Sequence, residues 1–251
     1  MPICCLCGLE KQLIKAHIIP RKLYEPIREA SIGEPPSDQV PRIYVVGTEQ
    51  KPKQSKQSQS GIYDPSILCQ ECDGNLIGVW DNYGQTFLLS PSFSENCLVD
   101  NAGKLAAYKI EEFDYKQLKL FFMSILWRAA ITSDQFFSQI KLGSWEEKLR
   151  KMILAQDPGD ENDFSVVLFK YEGALSEIMQ NPTKHRQGGV NYYRFRFPKY
   201  GFLIKVDQRS FHPELLPFVI RSNQQLLIRV MEYTNSKEYE RILDIRDKIL
   251  N

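Results

Sequence analysis

The chain has 251 residues, with 32 Lys and Arg against 31 Asp and Glu and a formal net charge of +1. A balance so near neutral excludes a global basic field, so any nucleic-acid surface must come from local clustering. A hydrophobic content of 43% and a charged content of 25% are ordinary for a globular protein, and this length can bury a sizeable core in one large domain or two modest ones.

In chain order, Cys4-Cys5-Leu6-Cys7-Gly8 comes first, and its C-x-x-C pair is answered far downstream by Leu68-Cys69-Gln70-Glu71-Cys72-Asp73. Two thiolates three residues apart on a tight knuckle reach one ion, and two such pairs complete a four-thiolate zinc site. Gly8 suits the knuckle because glycine turns with φ > 0. Four of the six cysteines stand in these pairs, which reads as metal binding rather than a disulfide framework. Cys4, Cys7, Cys69 and Cys72 are therefore expected to hold a structural Zn2+, with Cys5 a poorer-spaced competitor and Cys97 a lone thiol. The sequence has no apolar signal core at its start and no apolar run of membrane-span length. A reduced, cytoplasmic protein with no membrane contact is expected.

Between the cysteine pairs, Gln12–Ile14 and His17–Ile19 read as extended pieces, with Pro20 holding Ile19 out of the helical region. Arg21–Glu29 suggests a short helix and Arg42–Val46 a strand. Thr48–Gly61 is a Gln, Ser and Lys stretch with no apolar residue before its final Gly, expected to be a mobile loop. A helix follows from Leu76 and is expected to fray at Gly84, then strand-like Thr86–Leu89 and Ala106–Ile110. The clearest helix runs from near Asp114 to Ile131. It is apolar nearly all round, as a buried core element is, and its Arg128 must reach a carboxylate, a carbonyl or the surface. Ser133 suggests a cap for a next helix ending at Gly143, and Ser144-Trp145-Glu146-Glu147 a capping box for a third. Phe164–Phe169, Asn191–Phe197, Phe202–Val206 and Leu226–Tyr233 read as strands, and Asn235 opens a last amphipathic helix. Arg194 and Arg196 alternate with Tyr193, Phe195 and Phe197, which gives a basic, aromatic-bearing hairpin suited to phosphates and bases, or simply a polar outer face. Lys184-His185-Arg186 reads as a small basic loop.

The fold class expected is α+β: an N-terminal zinc-stapled ββα module over residues 1–84 (with 48–61 as its mobile loop), then an α+β domain of unassigned role over 85–251. That second part has a central helical segment and a C-terminal small antiparallel sheet with helices.

The knuckle, the His17-Ile18-Ile19-Pro20 run and the second pair followed at once by Asp73 resemble the zinc-stapled HNH (His-Me finger) endonucleases. The resemblance covers roughly residues 4–83, with the loop between unmatched in length. It implies His17 as general base on water, Asp73 in the last metal-ligand position, and Mg2+ or Mn2+ as the catalytic ion. It also implies nucleic acid as partner, DNA before RNA; Arg21, close after His17, and Arg194 and Arg196 of the basic hairpin are the candidate contacts. The acidic residue that usually precedes the histidine is Ala16 here, and Asp64 is the nearest stand-in for the middle asparagine. Asn75 and Asp81 are further candidate ligands. The motif also resembles HNH-like proteins of mobile elements and phage defence. The rival expectations are a catalytically inactive zinc module that binds nucleic acid or a protein, and a purely structural zinc domain serving oligomerisation.

Overall fold

A helix without a polar face has to be enclosed, and the stretch Leu118–Ala129 is enclosed completely. The computed structural model describes residues 1–24, 42–45, 53–57, 61–90, 96–173, 179–222 and 224–232, with 42–45 and 53–57 described as backbone alone. Three α-helices are described: α1 (Gly78–Leu88), α2 (Tyr115–Ile131) and α3 (Ser144–Leu154). In α2 every side chain from Leu118 to Ala129 is buried, and Asp114 caps its start by accepting from the Gln117 amide at 2.9 Å.

The strands are β1 (Leu13–His17), β2 (Arg42–Val45), β3 (Lys53–Gln57), β4 (Tyr63–Cys69), β5 (Cys97–Val99), β6 (Leu105–Ile110), β7 (Val166–Glu172), β8 (Gln180–Gln187), β9 (Val190–Phe197), β10 (Tyr200–Lys205) and β11 (Leu226–Glu232). β1 pairs antiparallel with β4, and β2 with β3. The remaining strands form one seven-stranded sheet in the order β5-β6-β11-β7-β10-β9-β8. Its β7–β11 pair is parallel and its other pairs antiparallel. The tight β8–β9 hairpin needs two positive φ angles, and Gly188 (57°) and Gly189 (83°) supply them.

Both faces of that sheet are covered. Val166, Leu168, Phe195, Phe202 and Ile204 face α2, where the Phe122 and Phe202 rings lie 4.6 Å apart. Val167, Phe169, Tyr192 and Leu203 face the other way, under Phe211 and the 3-10 turn Pro213–Phe218. The first of these cores also takes in Cys4, Leu6, Ile18 and Trp80, so apolar packing crosses residue 84 without a break. No helix among the described residues is long and apolar enough to cross a membrane.

Mixed α+β composition is observed, and several local expectations are corrected. The sheet is neither small nor wholly antiparallel, because β5 and β6 from the middle of the chain join it through β11. Thr86–Leu88 belongs to α1, which does not fray at Gly84: the glycine lets the Phe121 ring sit where a Cβ would lie 2.4 Å from it. Ser133 heads no long helix; Asp134 caps the single turn Gln135–Phe137, whose two phenylalanines fill the core. Gly143 (φ 58°), not Ser144, is the N-cap of α3, with no side-chain cap bond. Lys53–Gln57 of the low-complexity stretch is a strand, since a backbone ladder with β2 requires no apolar side chain. Lys184–Arg186 lies within β8. Arg21–Tyr24 is one 3-10 turn. The continuation to Glu29 and the helix expected from Asn235 fall outside the described residues.

Candidate functional site

The N-terminal knuckle closes on itself, with the Cys4 amide donating to the Leu9 carbonyl at 3.0 Å and the Gly8 amide to the Cys4 carbonyl at 2.9 Å. Gly8 turns there at φ 74°. The Cys5 amide donates to Ile67 on β4 at 2.9 Å, and the Cys69 amide approaches Cys4 Sγ at 3.4 Å. β4 ends at Cys69 and runs into a π-helical turn, Glu71–Ile77, that carries Cys72 and Asp73. The Gly78 amide donates five residues back to the Asp73 carbonyl, the widened register of a π turn, which recurs at functional sites.

These elements bring Cys4, Cys7, Cys69 and Cys72 together, with their sulfurs all within 4.8 Å of one another. A tetrahedral thiolate site with bonds of ~2.3 Å needs sulfurs about 3.8 Å apart, so the four are close enough to hold a metal ion. Burial alone would raise the Cys4 thiol, but amides of Cys7, Cys69 and Leu6 aimed at it hold it down to about 7. Burial pushes the Cys72 thiol far up, and its sulfur neighbours Cys69, Cys4 and Cys7 push the same way. Four crowded thiols cannot all ionise without a cation between them, and a metal ion relieves that conflict. Cys5 and Cys97 are exposed and outside the cluster.

His17 closes β1, in register with Tyr63 on β4. Ala16 before it points inward at 0% exposure, while His17 is half-buried, its ring 6.3 Å from that of Tyr63. The His17 carbonyl accepts from Arg128 Nη1 at 2.7 Å. Arg128, itself 0% exposed, also grips Asp81 on α1 with both Nη atoms, at 2.8 and 2.7 Å, and bonds Ser124 through Nε and Nη2 at 3.3 Å each. All five guanidinium N–H groups are thereby used. Of the three destinations open to Arg128 in the sequence, it takes two, a carbonyl and a carboxylate. Asp73, half-buried on the π turn, feels that same guanidinium: burial raises its carboxyl, Arg128 lowers it, Asp81 raises it, and the net shift is upward. Arg128 thus ties the His17 backbone to α1, and its charge reaches Asp73 on the turn before that helix.

The other candidate carboxylates are committed elsewhere. Asp64 is 5% exposed and accepts from the Ser66 amide and hydroxyl and from the Thr132 hydroxyl, with the Ser133 amide at 3.4 Å. Burial would raise its carboxyl, yet these donors hold it below the usual range. Asp81 is taken by Arg128, and Asn75 is exposed. Arg21 lies exposed in the turn after His17.

The arginines of the hairpin are not a solvent-facing strip. Arg196 is 2% exposed, its guanidinium 4.3 Å over the Tyr171 ring, and Arg194 is half-buried. Lys205 is 1% exposed and donates to the Arg209 carbonyl at 2.7 Å. The residues around Pro213–Phe218 cover the face that a period-two reading leaves open. The Arg128 clamp could be anticipated as a need but not as a partner, because Asp81 and His17 meet it only through the packing of α1 on α2. No protein-family model, curated protein or solved structure matches the chain.

Proposed function

We propose that the protein is a divalent-metal-dependent endonuclease of the HNH type that hydrolyses DNA phosphodiester bonds, built on a structural Zn2+ held by Cys4, Cys7, Cys69 and Cys72. The observation that carries this reading is the four-cysteine cluster itself, with Asp73 following its ligand Cys72 on the π turn and His17 ending the strand that pairs with the strand leading to Cys69. A closed four-thiolate zinc ion is structural and leaves the chemistry to its surroundings. His17 serves as general base: its imidazole takes a proton from water as the water oxygen attacks phosphorus and the bond to the leaving sugar oxygen breaks. Asp73 is the carboxylate that would hold Mg2+ or Mn2+, an ion that stabilises charge on the phosphoryl group and the leaving oxygen. The Arg128 clamp on the His17 carbonyl fixes the end of β1 relative to the helix that bears Asp73.

The rival reading, an inactive zinc module binding nucleic acid or protein, is favoured by one specific observation: Asp64 and Asp81 are both engaged internally and Ala16 is buried, which leaves Asp73 alone among the candidate carboxylate ligands without such a partner in the described residues. The test incubates the full chain with supercoiled plasmid, single-stranded DNA and RNA in Mg2+, Mn2+ or EDTA, beside His17→Ala and Asp73→Ala. Metal-dependent cutting abolished by both substitutions is expected. A His17→Ala protein that cuts as well as the wild type, or a wild type that cuts nothing, sinks the nuclease reading. DNA binding without cutting supports the rival.

A further inference from the structure

Outward from His17 lies a cluster that the catalytic reading does not use. In β1 Ala16 points into the core, so Lys15 and His17 share the opposite face. Tyr63 stands opposite His17 in register, 38% exposed for so large a ring, with its centroid 6.3 Å from the imidazole at 65°. Lys15 Nζ hovers 5.3 Å from the Tyr63 centroid. Arg21 and Lys22 follow in the next turn, both exposed. Among the described residues no carboxylate comes within salt-bridge distance of Lys15, Arg21 or Lys22. Asp64, next to Tyr63 in sequence, turns inward to Thr132. A partly exposed aromatic ring, an imidazole and the Lys15 ammonium, which pairs with no carboxylate among the described residues, are therefore gathered at one place, although the chain as a whole is near neutral.

We infer that this surface binds an unpaired nucleotide of single-stranded DNA, with the base stacked on Tyr63 and the adjoining phosphate between Lys15 and His17. The inference rests on the nuclease reading above and names its substrate class. Stacking on an aromatic side chain requires a base whose face is free, and in a duplex both faces are covered by neighbouring pairs. Charge alone attracts either form through its phosphates. The tyrosine is the element that discriminates, and its register partner is the residue assigned to the chemistry. Lys15 over the ring holds a cation where the phosphate of a stacked nucleotide would arrive.

The test uses the zinc-loaded chain with His17 intact and no Mg2+ or Mn2+ added, so that DNA survives. Fluorescence anisotropy follows a labelled oligodeoxythymidine and a duplex of equal length at fixed salt. Adding Tyr63→Ala or Tyr63→Leu should weaken single-strand binding about five- to a hundred-fold and leave duplex binding unchanged, while Tyr63→Phe keeps wild-type affinity. Lys15→Ala should reduce the salt slope of single-strand binding by about 0.7. Metal content equal to the parent's shows that each variant is folded at the site. If Tyr63→Ala binds the single strand as tightly as its parent, or loses single strand and duplex equally, the stacking site is refuted. The two proposals fail separately. Tyr63-dependent binding by a wild type that cuts nothing overturns the nuclease reading alone, and His17-dependent cutting unaffected by Tyr63→Ala overturns the stacking site alone.

Discussion

Replacing Arg128 by methionine keeps most of the buried stem and removes every donor at its end. The structure sets the size of the effect. Arg128 is 0% exposed and its ion pair with Asp81 is short and two-pronged, while the Asp81 side chain retains 15% exposure. Removing one partner of a buried pair costs about 3–5 kcal/mol, because the other charge stays behind uncompensated. The residual exposure of Asp81 lets water reach it, which places Arg128→Met at the lower end, about 3 kcal/mol. The His17 carbonyl also loses its donor, about 1 kcal/mol more. Asp81→Leu alone strands the guanidinium in the core and should cost at least as much. The double substitution removes both charges together, so it should be less destabilised than the sum of the two singles by about 2 kcal/mol or more. Urea unfolding of the metal-loaded proteins, followed by tryptophan fluorescence, measures all three. Additive single effects would show that the two groups do not depend on each other and would refute the clamp.

Three further outcomes follow from separate parts of the molecule. Cys69→Ser should abolish stoichiometric metal binding in elemental analysis, and the metal-free chain should unfold at lower denaturant; Cys97→Ser, altered at an exposed site outside the cluster, should bind metal as the wild type does. Gly84→Ala drives a methyl group to 2.4 Å from a Phe121 ring that is 0% exposed. It should destabilise by about 1–3 kcal/mol on thermal unfolding despite alanine's better helix propensity; an unchanged midpoint would mean that α1 and α2 are not so closely apposed. Lys119 is 1% exposed, its ammonium donating to the Tyr115 hydroxyl and the Asp160 carbonyl; burial lowers it to about 8, against the pull of Asp163, Glu161, Asp160 and Asp157. The unfolded chain keeps that lysine proton up to about 10.5 while the folded chain releases it near 8. Between those values the unfolded state binds more protons, and stability rises with pH by about 2–3 kcal/mol. Lys119→Met should flatten the rise over pH 8–10, below the point near 10 where unfolded tyrosines lose their protons and the raised Tyr24, Tyr115 and Tyr200 begin to lower stability; a wild-type slope in the variant would refute it.

What the sequence makes legible is whatever a short period or a short spacing encodes. The two C-x-x-C pairs specify a cluster across more than sixty residues of chain, since thiol chemistry leaves them few alternative uses. The all-round apolar pattern from Leu118 to Ala129 announces burial, and the Tyr193, Phe195, Phe197 alternation announces a strand with one core face. Both hold in the structure. The other face of that strand is illegible, because Arg196 reads as solvent-facing until β7 sets the Tyr171 ring under its guanidinium and a second apolar cluster fills out that face. The ends of elements are equally hidden. Ser144 has the residues of a capping box, yet Gly143 takes the cap position and the serine falls inside the helix. At the candidate site the cysteine cluster is readable from spacing, and His17 and Asp73 are readable as candidates from the HNH resemblance. Their connection through Arg128 is not, because it depends on where α2 crosses α1.

That connection also bears on whether the missing acidic residue before His17 can be restored. Ala16→Asp would recreate the usual motif on paper. In the fold, Ala16 is 0% exposed, and its register partner on β4 is Asp64, already a buried carboxylate with both oxygens engaged. A second carboxylate there faces the core rather than the surface shared by Lys15 and His17, and it meets like charge as well as desolvation. It must remain protonated or force β1 away from β4, and either course costs several kcal/mol. The expected result of Ala16→Asp is therefore a marked loss of stability in urea unfolding, with no lowering of the Mg2+ concentration needed for cleavage. A stable variant that cuts at lower Mg2+ would show that position 16 can reach the ion. The departures of this chain from the HNH pattern would then be simple losses at an otherwise intact site. Destabilisation would mean that the core has been built around alanine, and that the proposed site has to work without a carboxylate at position 16.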